Sequence, residues 1–99
     1  MLRITIEDGD GEQTIRLEGK IVGLWAEEFG RVWESLASAV GTRRLQVDLR
    51  SVAFIDGRGR QLLRDIYRQT SATFLTNSPL MRHFAEEAMQ EPAKNGKGA

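Results

Sequence analysis

Leu2, Ile4 and Ile6 alternate with Arg3, Thr5 and Glu7, the two-residue period of a strand with one buried face. The turn-forming run Asp8-Gly9-Asp10-Gly11 follows, and Ile15 and Leu17 then alternate with Thr14, Arg16 and Glu18. Residues 2–18 therefore predict a β-hairpin. Gly19 and Gly23 bracket Lys20-Ile21-Val22, which predicts a loop. From Leu24 the period changes: Trp25, Phe29, Val32, Trp33, Leu36, Ala37 and Val40 make one apolar stripe at helical spacing, and Gly41 is placed to end it. Trp25 and Trp33 are its expected core anchors, with Trp25 open on the side of the preceding loop. Leu45, Val47 and Leu49, then Val52, Phe54 and Ile55, predict a long or bulged third strand running up to Asp56. Leu62, Leu63, Ile66 and Tyr67 mark a second helix, Ala72–Thr76 a short fourth strand, and Leu80, Phe84, Ala85, Ala88 and Met89 a third helix. Ser78-Pro79 is a helix start: the serine oxygen accepts from a free backbone N–H, and the donor that proline lacks would have been unpaired there anyway.

A hairpin followed by helix, strand, helix, strand and helix predicts an α/β fold. The expected domain spans residues 1–89: a mixed, mostly parallel four-stranded sheet with an N-terminal β-hairpin and about three helices. Residues 90–99 have nothing to bury and are expected to form a disordered tail. Right-handed crossovers bring the loops Gly19–Gly23, Asp56–Gly59 and Asn77–Pro79 to one sheet edge, beyond the carboxyl ends of the strands, where such folds meet ligands and partners.

Composition narrows the function classes. Fourteen basic and fourteen acidic residues cancel, so no net field draws the chain to nucleic acid or an anionic membrane. The absence of cysteine excludes disulfides and thiolate chemistry and fits a reducing compartment. No apolar run approaches the roughly 20 residues of a spanning helix, and the N-terminus lacks the pattern of a signal peptide. A cytoplasmic domain with no nucleic-acid partner and no direct membrane insertion is expected.

The stretch with most chemical content is Phe54–Leu63, where a strand hands over to a helix through Asp56-Gly57-Arg58-Gly59-Arg60. Leu62 stands where a dinucleotide fingerprint has its third glycine, and no Walker loop is present. The amides of Gly57–Arg60 with Arg58 and Arg60 leave anion or nucleotide sensing open; the plainer reading is a tight turn with solvated arginines. Arg60, Arg64 and Arg68 recur every four residues, partly neutralised by Asp65, as a solvated face or as a dock for an acidic partner. Ile21, Val22 and Leu24 lie near the same arginines, either as an apolar contact patch or folded onto the helices. His83 lacks a second histidine or any cysteine for a metal, and Asp48 and Asp56 lack a nucleophile or base. No catalytic residue, cofactor or metal is predicted, and the chain is not expected to be an enzyme.

Three segments, LEGKIVGLWAEEF (17–29), VDLRSVAFIDGRGRQLL (47–63) and FLTNSPLMRHFAEE (74–87), resemble in that order the STAS domain, named for sulphate transporters and anti-sigma factor antagonists. The resemblance covers Leu2 to about Met89 and is strongest over Val47–Leu63. It implies a regulatory protein-binding module. In anti-sigma factor antagonists a partner kinase phosphorylates the hydroxyl residue directly after the motif aspartate. Here that position is Gly57, a degenerate phosphoacceptor, and the next is Arg58; Ser51 lies five residues before the motif aspartate. Family members also commonly carry another strand and helix where this chain has its polar tail. The implied partner is a protein: an anti-sigma kinase-like protein or, alternatively, the ATPase subunit of an ABC or anion transporter assembly. Ile21, Val22, Asp56, Gly57, Arg58, Gly59, Arg60, Arg64 and Ser78 are the candidate partner-binding residues, and the same surface would serve a homodimer.

Overall fold

A computed structural model describes residues 1–41 and 43–90 of the 99-residue chain. Its elements are β1 (Leu2–Gly9), β2 (Glu12–Ile21), α1 (Gly23–Val40), β3 (Arg44–Ile55), α2 (Gly57–Thr70), β4 (Thr73–Leu75) and α3 (Pro79–Met89). The strands lie in the order β1-β2-β3-β4. The hairpin pair is antiparallel, and β2/β3 and β3/β4 are parallel. This is the mixed α/β architecture that the periodicity predicts. The tail expected beyond α3 falls, apart from Gln90, outside the described residues.

Alternation sorts the sheet into two chemically distinct faces. Ile15 and Leu17 of β2 and Leu45, Val47 and Leu49 of β3 are buried, with Leu2, Ile4 and Ile6 of β1 packed against them. Phe29 and Trp33 of α1 and Leu63 and Ile66 of α2 complete that core. Each such side chain contributes about 1.5–3 kcal/mol through the surface it removes from water. Trp33 is the buried anchor the helical stripe predicts, whereas Trp25 stays 41% exposed.

β3 does not keep a simple two-residue period. Arg16 pairs with Asp48 but Glu18 with Ser51, and Gly19 pairs with Val52 but Lys20 with Phe54. Each break gives β3 one extra residue, so the buried positions step from Leu49 to Val52 and then to Ile55. The first bulge is held by its own side chains. Asp48 Oδ1 accepts from the Arg50 backbone N–H at 3.0 Å and from Nε at 3.0 Å, and Oδ2 accepts from Nη2 at 2.9 Å. Arg16 Nε lies 3.6 Å from the same carboxylate and its Nη1 3.0 Å from Glu7 Oε2, extending the charge network across three strands. The hydrogen-bonded Arg50 guanidinium holds the Asp48 carboxyl below its ordinary value of 3.8 although burial pushes the other way.

β4 pairs with β3 only over Gln46–Asp48, so it is shorter than the expected Ala72–Thr76. α3 packs against the carboxyl half of β3, where Phe54 meets Phe84 edge to face at 6.0 Å. Ser78 starts α3 as the sequence predicts, its Oγ accepting from Met81 N at 3.2 Å with Pro79 in the first turn.

Because Asp48 is nearly fully buried and pins a bulge, Asp48→Asn is expected to lower the unfolding free energy by about 1–3 kcal/mol at neutral pH. Urea denaturation of both proteins checks this; a loss below a few tenths of a kcal/mol would show that the bulge holds without its charge.

Candidate functional site

β2 runs on through Ile21, because its parallel register with Phe54 and Ile55 continues and Lys20 N donates to Met1 O at 3.3 Å. This corrects the loop expected over Gly19–Gly23: only Val22 separates strand from helix. The loop expected over Asp56–Gly59 is corrected in the same way, since α2 begins at Gly57. What makes both connections so short is Asp56.

Asp56 leaves β3 with its backbone N donating to Ile21 O at 3.0 Å. Its carboxylate then serves two helices. Oδ1 accepts from Gly59 N at 2.9 Å, capping α2, and Oδ2 accepts from Gly23 N at 2.8 Å, the first residue of α1. A single negative charge thus sits at the positive ends of two helix dipoles and satisfies a free donor of each. Gly23 adopts φ 53°, a left-handed conformation that lets its N–H turn back to Asp56. Burial works to raise the Asp56 pKa, but the N–H groups of Gly23, Gly59 and Arg58 and the Arg58 charge outweigh it, so the carboxyl sits below 3.8.

The two glycines of the motif do different work, and neither makes a left-handed turn; both are helical. A Cβ on Gly59 would stand 2.6 Å from Ile55 Cγ2, 2.9 Å from Ile21 Cγ2 and 3.0 Å from Ile21 O. Gly59 is the point where α2 lies directly on the β2 and β3 ends. It is buried, as is Ile21, which is 0% exposed. These two residues are therefore removed from the candidate contact surface: the sheet extends to Ile21 and α2 seals it. Gly57 is the opposite case. It is exposed, and a Cβ there would meet nothing within 4 Å.

Arg58 is not the isolated cation that the sequence suggests. Its Nη1 lies 3.0 Å from Glu27 Oε2, linking the first turn of α2 to the second turn of α1. Arg60 lies over the Phe84 ring, 5.3 Å from its centroid, with Nε 3.3 Å from Glu87 Oε1 of α3. Arg64 is half-buried, and Arg68 stands 4.0 Å from Asp65. Of the basic stripe, Arg60 alone fastens α2 to α3, while Arg68 pairs within α2. Ser78 serves as a helix cap, and Val22 is half-buried.

What remains accessible around Gly57 is more apolar than the sequence indicates. Leu24 is 77% exposed, and Leu24 and Trp25 occupy the first turn of α1, whose first N–H is bound by Asp56. On the other flank, Phe54 and Leu80 are each 42% exposed at the end of β3 and the start of α3. Leu80 and the half-exposed face of Phe54 lay unmarked in the sequence because both fall on core-like periodicities. Among the described residues no group of three or more His, Cys, Asp or Glu could hold a metal, and no helix is long and apolar enough to cross a membrane.

No family model matches the chain, and no curated protein matches it at a significant level. Solved structures do. An anti-sigma factor antagonist from Mycobacterium paratuberculosis aligns over 84% of this chain and 74% of its own, with 21% identity and a TM-score of 0.73. The anti-sigma factor antagonist SpoIIAA in its unphosphorylated form aligns over 85% of this chain and 82% of its own, with 17% identity and a TM-score of 0.66. At these identities the likeness is one of fold, and the chain has the STAS-like α/β fold.

The glycine pair makes a paired prediction. Gly57→Ala is expected to leave stability unchanged or raise it by up to about 1 kcal/mol, the ordinary helix preference for alanine. Gly59→Ala is expected to cost about 1–3 kcal/mol by overpacking against Ile21 and Ile55. Thermal melts of the two variants decide it, and equal effects would disprove the close approach.

Asp56→Asn tests the double cap. An asparagine has one acceptor oxygen for two N–H donors, so a loss of about 1–3 kcal/mol is expected at pH 7. Because the folded pKa is depressed, this contribution is complete above the unfolded value and disappears as pH falls through the lower folded one. The stability gap between wild type and variant should hence narrow as pH falls through 3.8 and close once the lower folded pKa is passed, and a gap that persists beyond that point would mean the charge is not its source.

Proposed function

We propose that this protein is a non-enzymatic regulatory module of the anti-sigma factor antagonist type, which binds a protein partner at the edge formed by the starts of α1, α2 and α3. The observation that carries this reading is the exposed surface around Gly57, where Leu24 and Trp25 stand beside Arg58 on a scaffold pinned by Asp56. Exposed apolar side chains beside a rigid, charged turn suit a contact site, and a half-exposed tryptophan is a frequent anchor of such sites. The likeness in fold to two anti-sigma factor antagonists supports an anti-sigma factor as the class of partner. The partner-binding set that fits this surface is Val22, Leu24, Trp25, Asp56, Gly57, Arg58 and Arg60, with Asp56 acting through the geometry it imposes.

Position 57 sets the mode of regulation. It is the first residue of α2, open to solvent and free of neighbours, so a serine there would fit and present its hydroxyl outward. Glycine offers no atom to phosphorylate. The surface is accordingly read as permanently in the unmodified state, with binding governed by the amount of the protein and its partner rather than by a phosphate.

The test uses the kinase-type anti-sigma factors encoded in the genome that supplies this chain. Wild type is expected to bind one of them and to remain unphosphorylated in the presence of ATP, Ser51 included. Leu24→Asp and Trp25→Ala should each weaken that binding about tenfold or more while the melting temperature hardly changes. Gly57→Ser should bind and become phosphorylated at the new hydroxyl. Absence of binding to every one of these factors, or phosphate on wild-type Ser51, would overturn the reading.

A further inference from the structure

α1 and α2 are not packed together along their length. They touch where Gly30 faces Leu62, and a Cβ on Gly30 would lie 3.4 Å from Leu62 Cδ2. Around that contact a groove opens, about 530 Å³ in its widest part, lined by Ala26, Glu27, Gly30, Glu34, Leu62 and Asp65 among others. It continues past Trp33, Ala37 and Gln69 and ends beside Val40 and Thr70. The groove follows from the sequence. Ala26, Gly30 and Ala37 put small side chains on the α1 wall, so the neighbouring helix leaves unfilled space there.

The charges along the groove are unevenly satisfied. At the mouth, Arg58 and Glu27 bridge the two walls at 3.0 Å. Arg31, on the α1 wall, is engaged by Glu28 of its own helix at 3.2 Å. Deeper in, Glu34 of α1 and Asp65 of α2 line the same two segments of groove. Asp65 accepts from the Gln61 amide at 3.1 Å and has Arg68 of its own helix only at 4.0 Å. Glu34 has no cation within ion-pair distance among the described residues. Two carboxylates on opposite walls, over a floor of glycine, alanine and leucine, are therefore less well paired than the mouth of the groove: Glu34 has no ion-pair partner among the described residues, and Asp65 has Arg68 only at the limit of that distance.

We propose that this groove docks a helical segment of a protein partner which places one arginine or lysine between Glu34 and Asp65 and small apolar residues over Ala26, Gly30 and Leu62. The aliphatic stem of such a side chain covers the apolar floor while its charged end reaches both walls. The complementarity is directional: a neutral residue at that position leaves both carboxylates as they are, and an acidic one is repelled. The groove adjoins the Leu24–Trp25 edge through Arg58, which stands at its mouth, but neither Leu24 nor Trp25 lines it.

The experiment uses three alanine-based helical peptides of about 18 residues, identical except for a central arginine, glutamine or glutamate. Amide NMR shifts of the full chain are followed during titration. The arginine peptide is expected to bind saturably, with shifts at Gly30, Glu34, Leu62 and Asp65, and about tenfold or more tighter than the glutamine peptide. Glu34→Gln with Asp65→Asn should abolish that advantage without altering the melt, Glu34 being exposed and Asp65 partly so. Glu34→Arg with Asp65→Arg should transfer the preference to the glutamate peptide. Equal affinity for the arginine and glutamine peptides, shifts confined to the Leu24–Gly57 edge, or no saturation would each overturn the proposal. So would shifts at the groove amides on concentrating the protein alone, which would make the occupant a second copy. Leu24→Asp is expected to leave arginine-peptide binding unchanged, so failure of the edge reading and failure of this one are separable.

Discussion

One carboxylate organises the working end of this protein. Two helices of an α/β sheet must begin close together if their strands are neighbours, and each brings free N–H groups and a positive dipole end to the same place. Left uncompensated, those ends would repel and their donors would need water. Asp56 answers both helices at once, with one oxygen for Gly59 and the other for Gly23. The direct handover from β2 to α1 and from β3 to α2, the burial of Ile21 and Gly59, and the outward placement of Gly57 all presuppose that arrangement.

Much of this was legible in the chain. The helical stripe of α1, the period-two hairpin and the Ser78-Pro79 start depend on local spacing, and the structure has them where the pattern puts them. The errors share one cause, which is that tertiary contacts outvoted local preference. Gly19 and Gly23 mark a loop by composition, yet pairing with Phe54 and Ile55 keeps Lys20 and Ile21 in the strand. Gly57 and Gly59 each cost a helix up to about 1 kcal/mol, yet the Asp56 cap and the fit of Gly59 on Ile55 bring both into α2. Arg58 is 31 positions from Glu27, and no spacing rule connects them.

The candidate site separates chemistry from scaffolding within four residues. Asp56 and Gly59 are committed to holding the turn: one to its hydrogen bonds, the other to the space it does not fill. Gly57 and Arg58 face outward on that support. A change of side chain at position 57 can alter the surface without altering the fold. The same cannot be said two residues later. Helix α1 repeats this division, with Leu24 and Trp25 in the open while Phe29 and Trp33 fill the core.

β3 is the longest strand, and over Arg50–Phe54 its β4 side has no strand beside it among the described residues. The element next to it there is α3, which reaches it through Phe84 against Phe54 and leaves Arg50, Ser51 and Ala53 exposed. Helices can open by fraying and leave the rest of a domain intact. If α3 lifts, the row of backbone groups from Arg50 to Phe54 becomes a template on which another chain can add a strand. Colloidal solubility in this protein therefore depends in part on how firmly its last helix is attached.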